Sequence, residues 1–327
     1  MRIDGTTIAI TGAGGFIGLH LVEALRARGA KVRGLDVTPG AAGRVTRAGA
    51  EAILGDVTRR DDLERLLQGA AAVVHTAAVV SEGGDRARFE RINVGGTRNV
   101  IAAARASGVR RVVHLSSVMV YGFGFPNGVR EEGPLAGEGN AYCETKIESE
   151  ALVLDADRRG EIAATVIRPG DVYGPGSMPW IVRPLQMMKK RLFAVPRGGV
   201  LNHVWVGNLV DAIALSLEKD ATGEAFNVSD GVATPVEDFF RRLAQIAGRR
   251  LIALPAPILR AAFGTIERAA DAIRVEPPAR ASAVDFLMRP GRYSIEKAER
   301  VLGYRPRVDL DEGMARIASW ARAEGLA

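Results

Sequence analysis

Apolar runs and amphipathic stretches alternate along the first half of this chain. Ile8-Ala9-Ile10 reads as a buried strand, and 16–28 as a helix with Ile17, Leu21, Val22 and Leu25 on one side. Further strands are expected at 31–36, 52–54, 72–75, 112–115 and 163–167, with helices over 89–107 and 142–159. That rhythm predicts parallel strands joined by right-handed crossovers, an α/β doubly wound sheet. The pattern breaks after Arg168, where Pro169, Pro175, Pro179, Pro184 and Pro196 punctuate helical and extended pieces. Val204-Trp205-Val206 leads into a helix through Leu217, Ala225-Phe226-Asn227-Val228 reads as another sheet strand, and 235–247 as a helix. The alanine-rich stretch 254–273 fits a lid over a hydrophobic pocket, a membrane-surface contact or plain core. Asp309 followed by Glu312 is a capping box for a last helix through Trp320. The expected division is one domain over 1–168 and a smaller, partly helical substrate lobe over 169–327, with about 201–230 returning to complete the sheet.

Thr11-Gly12-Ala13-Gly14-Gly15-Phe16-Ile17-Gly18 closes the first strand and opens the first helix. A glycine-rich turn there is how a doubly wound (Rossmann) sheet holds a dinucleotide pyrophosphate. Gly12 allows the tight turn, Gly15 lets backbone amides approach the phosphates, and Gly18 lets the helix pack closely. Phe16 and Ile17 begin the helix, whose N-terminal amides and partial positive charge face the anion. Asp36 ends the second strand about 20 residues on, where a carboxylate accepts from both ribose hydroxyls of NAD and repels the 2′-phosphate of NADP. No arginine adjoins it in sequence. NAD is the expected cofactor.

Bulk properties narrow the class. The 327 residues are 47% hydrophobic and 25% charged, which suits one large α/β domain or one with an appended lobe. A single cysteine, Cys143, excludes an internal disulfide and points to a reducing compartment. With no signal-peptide pattern and no apolar run long enough to span a bilayer, a cytoplasmic protein without an integral membrane segment is expected. The net charge of +6 is spread along helices, as in Arg59-Arg60-Asp61-Asp62. Without a basic block or basic-aromatic interleaving it reads as a solvated surface, and no nucleic-acid partner is expected. His20, His114 and His203 show no metal-ligand spacing.

Tyr142 and Lys146 stand four apart, on one helix face. An ammonium near a phenol favours the phenolate and lowers its pKa from about 10. That makes a proton donor or acceptor usable near neutral pH. Ser116-Ser117 ends the fifth strand, and C-terminal strand ends line the ligand crevice of a parallel sheet. A serine hydroxyl there is placed to hold a substrate oxygen beside the tyrosine.

Further motifs join these: Asp56-Val57, His75-Thr76-Ala77-Ala78, Asn93-Val94-Gly95-Gly96-Thr97, Ser116-Ser117-Val118-Met119-Val120-Tyr121-Gly122 and Arg168-Pro169-Gly170-Asp171-Val172-Tyr173-Gly174-Pro175. With them the chain resembles the extended short-chain dehydrogenase/reductase family over nearly its whole length. The resemblance implies a catalytic Ser117, Tyr142 and Lys146. It also implies Asp56 and Val57 flanking the adenine, Ala77 and Ala78 beneath the cofactor, Pro169 and Val172 near the nicotinamide, and a homodimer through the helices over 89–107 and 142–159. His75 and Asn93 are expected to be structural, and Cys143 a packed small side chain.

Departures sort the branch. Asp171 stands where nucleotide-sugar members carry Asn, and a carboxylate there is expected to repel a substrate diphosphate. Leu201-Asn202 replaces their Arg-Asp, removing a bidentate phosphate partner. Val118-Met119-Val120 supplies no acid/base pair for dehydration. The stretches beginning Val204-Trp205-Val206-Gly207-Asn208 and Gly223-Glu224-Ala225-Phe226 resemble the 3β-hydroxysteroid dehydrogenase-related group. Val79-Val80, Phe123-Gly124-Phe125 and Met178-Pro179-Trp180-Ile181 are candidate apolar pocket walls. Val80, Ser117, Asp171 and Tyr173 are the candidate substrate neighbours. The expected reaction interconverts a lipophilic secondary alcohol and its ketone or aldehyde. A nucleotide-sugar epimerase or dehydratase is the alternative, and an idle NAD-binding regulator the third reading.

Overall fold

The computed structural model describes residues 1–80, 85–109, 111–272, 275 and 280–327. Its first half alternates β1 (Thr7–Thr11), α1 (Phe16–Ala27), β2 (Lys31–Asp36), α2 (Pro39–Arg47), β3 (Glu51–Leu54), α3 (Arg60–Leu67), β4 (Ala72–His75), α4 (Arg86–Phe89), α5 (Gly96–Ala106), β5 (Arg111–Leu115), α6 (Ala141–Arg158) and β6 (Ala163–Pro169). A π-helical turn over Glu90–Gly95 joins α4 to α5, so the expected long helix is widened at Asn93. Helix α2 had no counterpart in the periodicity, because Gly40 and Gly43 dilute its apolar face. Thr38 starts it by accepting from the Ala41 amide at 3.2 Å.

The second half holds β7 (Asp171–Tyr173), α7 (Arg183–Lys189), β8 (Ala194–Pro196), β9 (Val200–Leu201), β10 (His203–Trp205), α8 (Val206–Glu218), β11 (Glu224–Val228), β12 (Thr234–Pro235), α9 (Val236–Ile246), β13 (Ile252–Leu254), α10 (Ala256–Ala272), α11 (Ala281–Leu287) and α12 (Leu310–Ala323). Asp309 caps α12 by accepting from the Glu312 amide at 2.9 Å. Ile273, the end of the expected 254–273 stretch, lies outside the described residues.

Seven strands form one all-parallel sheet in the order β3-β2-β1-β4-β5-β6-β11. Its strands are almost continuously apolar because helices cover both faces. Ile8, Ile10, Val113 and Ile167 pack with Leu21, Leu25, Leu209 and Ile213 of α1 and α8. The alternate positions Ala9, Val73, Val112 and Val166 pack with Leu63, Val100 and Val153 of α3, α5 and α6. The order reverses between β1 and β4, and the crevice beyond that point is where such sheets bind ligands.

The 201–230 region corrects its expectation in part. Glu224–Val228 joins the central sheet beside β6, but β10 pairs with β7 and β9 with β12. Gly170 donates to the Val228 carbonyl and Asp171 to that of Asn202, so the chain has changed partners by β7. A separate core of Tyr173, Ile181, Trp205, Phe239, Phe240 and Ile317 fills the C-terminal lobe.

One buried charge sits at the end of β6. Arg168 is 3% exposed and donates to both carboxylate oxygens of Glu150, to the Tyr121 hydroxyl at 2.6 Å and to the Glu131 carbonyl at 2.9 Å. Removing one partner of such a pair strands a desolvated charge, whereas removing both does not. Glu150→Leu is therefore expected to cost about 3–5 kcal/mol in urea unfolding. The Glu150→Leu/Arg168→Met double variant should recover most of it, and a double variant as unstable as the single one contradicts this account.

Candidate active site

The glycine turn lies where β1 gives way to α1. Gly12 has φ +67°, and a Cβ there would stand 2.8 Å from Ala77 Cα, so the segment of Ala77 and half-buried Ala78 passes directly against the turn. At Gly18 a Cβ would strike the Gly12 carbonyl, and its absence seats α1 on the turn. Gly15 is the N-cap of α1; no side chain caps that end and the first turn carries no acid. The leading amides of the helix, from Phe16, Ile17 and Gly18, are thus left for an anion. Phe16 meets His20 edge-on at 5.4 Å, and Ile17 packs on the core.

Asp36 accepts from the Gly14 amide at 3.0 Å and the Val37 amide at 2.8 Å. A carboxylate has about four lone-pair sites, so it keeps capacity for two ribose hydroxyls. Arg44 of α2 donates twice to the Gly14 carbonyl, at 3.1 and 2.7 Å. An arginine thus stands beside this turn in space although none adjoins Asp36 in sequence. Asp56 accepts from the Thr58 amide at 2.8 Å and closes a turn, while buried Val57 receives Asn99 on its carbonyl at 3.1 Å. The uncapped helix end, the bare glycine cradle and the partly used Asp36 fit a dinucleotide.

Ser117, Tyr142 and Lys146 come together at the carboxyl end of β5. Asn140 caps α6 by accepting from the Tyr142 and Cys143 amides at 3.0 and 3.1 Å, which sets where the helix starts. Ser117 caps the 3₁₀ turn Val118–Tyr121 by accepting from the Met119 amide at 3.1 Å, and its hydroxyl lies near enough to the Tyr142 phenol to lower its pKa. Lys146 is buried and donates to the Leu115 carbonyl at 2.7 Å, with Nζ 6.0 Å from the Tyr142 ring centre. The neighbouring Ser116 hydroxyl is buried without a partner among the described residues.

The protonation states correct the sequence expectation. Burial pushes the Tyr142 phenol up to about 12, against a smaller lowering by the Ser117 hydrogen bond. Burial also pushes the Lys146 ammonium down to about 8, opposed by Glu150. Desolvation is the largest cause of both shifts. The resting phenol is a neutral proton donor.

Asn93 clamps this arrangement from the π-helical turn. It pairs with the Val79 amide and carbonyl at 2.8 and 3.2 Å and donates to Thr145 Oγ1 at 3.1 Å. It bridges backbone, as expected.

Asp171 is no free carboxylate. Arg289, wholly buried, donates to both of its oxygens at 2.7 and 2.6 Å and to the Phe286 carbonyl at 2.8 Å, with the guanidinium 4.0 Å over the Phe286 ring. The Tyr293 hydroxyl lies 3.4 Å from it, and the Asn202 amide donates to Asp171 at 3.0 Å. The expected repulsion of a diphosphate is therefore corrected: the two charges cancel where they sit. Arg289 lies 118 residues from Asp171, and no local signal could have revealed it.

Other candidate substrate residues move as well. Tyr173 is fully buried, edge-on to Trp205, His203 and Phe239 at 5.4–5.5 Å, and is a core residue. Phe125 stacks on Tyr293 at 4.4 Å, and Ile181 lies in the lobe core. Val80 is 71% exposed and joins no described core. Leu201 is buried in the lobe core. Pro169 is buried at the end of β6, and half-buried Val172 follows in β7.

A polar row crosses the sheet beneath the site. His75 binds Thr11 Oγ1 at 2.7 Å and Thr97 Oγ1 at 3.1 Å, and its ring is 5.4 Å from that of His114. Burial lowers His75 to about 3, and holds His114 well below the usual histidine range.

The family described as NAD dependent epimerase/dehydratase matches residues 8–229. The 4-hydroxy-2-methyl-3-oxo-4-farnesyl-3,4-dihydroquinoline-1-oxide ketoreductase of Stigmatella aurantiaca is 32% identical, over 93% of this chain and 93% of its own. A 3-beta-hydroxysteroid dehydrogenase of Mycolicibacterium neoaurum is 28% identical, over 96% of this chain and 91% of its own. The solved structure of MoeE5 in complex with UDP-glucuronic acid and NAD is 26% identical with a TM-score of 0.77, covering 97% of this chain and 99% of that one.

The buried histidines generate a pH prediction. The unfolded chain takes up protons near the ordinary histidine value of 6.5, whereas folded His75 stays neutral down to about 3. Their stabilising contribution is complete above the unfolded value and is lost as pH falls through that window. Urea midpoints should decline from about pH 6.5 downward, and His75→Asn should flatten that slope. An unchanged slope in the variant contradicts the assignment.

Proposed function

This chain belongs to the NAD-dependent epimerase/dehydratase family, and from that premise we propose that it interconverts a secondary alcohol and its ketone on a lipophilic small molecule. The observation that carries this reading is the Asp171–Arg289 pair. Arg289 gives Nη2 to both oxygens of the carboxylate, Nε to the Phe286 carbonyl and turns Nη1 to the Tyr293 hydroxyl, and Leu201 provides no second guanidinium. A diphosphate then finds no bidentate partner at these positions. Likeness to a ketoreductase whose substrate name carries a farnesyl chain, and to a 3-beta-hydroxysteroid dehydrogenase, supports a lipophilic substrate.

NAD, when bound, supplies the hydride acceptor and its reduced form the donor. Tyr142 gives its phenolic proton to the carbonyl oxygen in reduction and accepts one from the hydroxyl in oxidation. Ser117, whose hydroxyl lies beside that phenol, holds the substrate oxygen next to it. Lys146, at about 8, is still mostly protonated at neutral pH and offsets the charge left on Tyr142. Because the resting phenol is neutral, reduction starts from the correct protonation state and oxidation gains with rising pH. The proposal includes NAD binding by residues 1–168, substrate binding by the later lobe, homodimerisation through the α5 and α6 faces, and a cytoplasmic setting.

Nucleotide-sugar epimerisation is the second reading, and likeness to MoeE5, solved with UDP-glucuronic acid and NAD, favours it.

Tyr142→Phe should lower turnover of an alcohol or ketone substrate about 10²–10⁴-fold while calorimetry finds NAD binding retained. Unchanged turnover removes Tyr142 from the chemistry. Titration with UDP should show no micromolar binding; a micromolar isotherm would transfer the assignment to the second reading.

A further inference from the structure

The C-terminal lobe carries an edge that the reaction does not use. Strands β8 and β13 pair in parallel with Ala194 beside Ile252, which brings together the approaches 189–193 and 249–251. From 189 to 197 and from 249 to 260 the chain holds seven basic residues and no acidic one. Arg260 pairs with Asp285, and Glu237 accepts from the Gly198 amide nearby. Lys190, Arg191, Arg249 and Arg250 are exposed and make no ion pair among the described residues.

Arg191 is notable for its backbone. It sits just past α7 with φ +58°, a left-handed position that glycine adopts without penalty. Its amide still closes the helix by donating to the Met188 carbonyl. A cation thus stands at a backbone position that L side chains rarely adopt.

Aliphatic side chains are exposed among these cations: Leu192 at 68%, Ile252 at 46% and Ile258 at 57%. Helix α10 follows β13 directly through Pro255 and is anchored by buried Leu259 and Ala270. Its outward positions include Ile258, Ala261, Ala262, Thr265, Ile266 and Ala269; Arg260 and Arg268 are exposed, and half-buried Glu267 pairs with Arg280. Among the described residues no helix is long and apolar enough to cross a membrane.

We propose that this edge rests on an anionic lipid bilayer surface. The lysine and arginine heads reach the headgroup phosphates, and Leu192, Ile252 and Ile258 enter the boundary with the acyl chains. Charge complementarity selects this occupant: a second copy presenting the same face would set cations against cations. The inference is independent of the substrate and of the reaction.

Vesicle flotation of the full chain tests it. With vesicles of phosphatidylcholine and phosphatidylglycerol the protein should float at low salt and be largely released at high salt; with phosphatidylcholine alone it should stay behind. Arg191→Glu/Arg249→Glu/Arg250→Glu should weaken binding about 100-fold or more, and Leu192→Ser/Ile258→Ser should lose the salt-resistant part. Thermal melting like the parent's would show that both variants fold. Absence of flotation on the anionic vesicles, or flotation unaltered by the triple substitution, overturns the proposal. So does a dimer in analytical ultracentrifugation that the Leu192→Ser/Ile258→Ser variant dissolves, which would assign the face to self-association.

Discussion

A guanidinium taken out of water must meet carboxylate and carbonyl oxygens already in place, and two such groups shape the ligand-facing edge of this protein. Arg168 ties β6 to α6 through Glu150, while Arg289 ties the segment after α11 to β7 through Asp171. The stretch after Ser117 lies between them. Tyr121 receives Arg168, Phe125 stacks on Tyr293, and the Glu131 carboxylate accepts from the Asn227 amide at 2.8 Å. Held from both sides, this stretch begins at Ser117, whose hydroxyl accepts from the Met119 amide. The second pair also leaves the Arg289 guanidinium neutralised by Asp171 and not free.

The same exclusion of water sets the chemistry. Tyr142 rises, Lys146 falls, and His75 and His114 stay neutral, each chiefly because its charged form loses solvation. Proximity of an ammonium to a phenol is a local fact, readable from a spacing of four. Its effect depends on how much water the surrounding side chains remove, and here removal is the larger influence. A neutral phenol and a weakened ammonium suit donation of a proton to a carbonyl oxygen.

The fold itself is shared across different activities. Dehydrogenase and ketoreductase relatives and a UDP-sugar complex all align along most of this chain. Parallel strands ending at one edge, with a bare helix N-terminus beside the reversal of strand order, meet the needs of the common cofactor. Asp171, Leu201 and Arg289 all lie in the second half of the chain.

What could be read without coordinates was whatever repeats or caps over short distances. The period of apolar residues located the seven strands of the sheet, the glycine turn marked the junction of β1 and α1, and Asp309 with Glu312 announced the last helix. The nearness of Tyr142 and Lys146 was likewise readable from a spacing of four. Helix α2 escaped because its glycines blur the period, and with it the placement of Arg44 against the turn. The burial of Tyr173, the neutralisation of Asp171 by a residue 118 positions away and the upward shift of Tyr142 had no signature in the chain. Those depend on which remote side chains arrive to exclude water or supply an opposite charge, and only packing in three dimensions decides that.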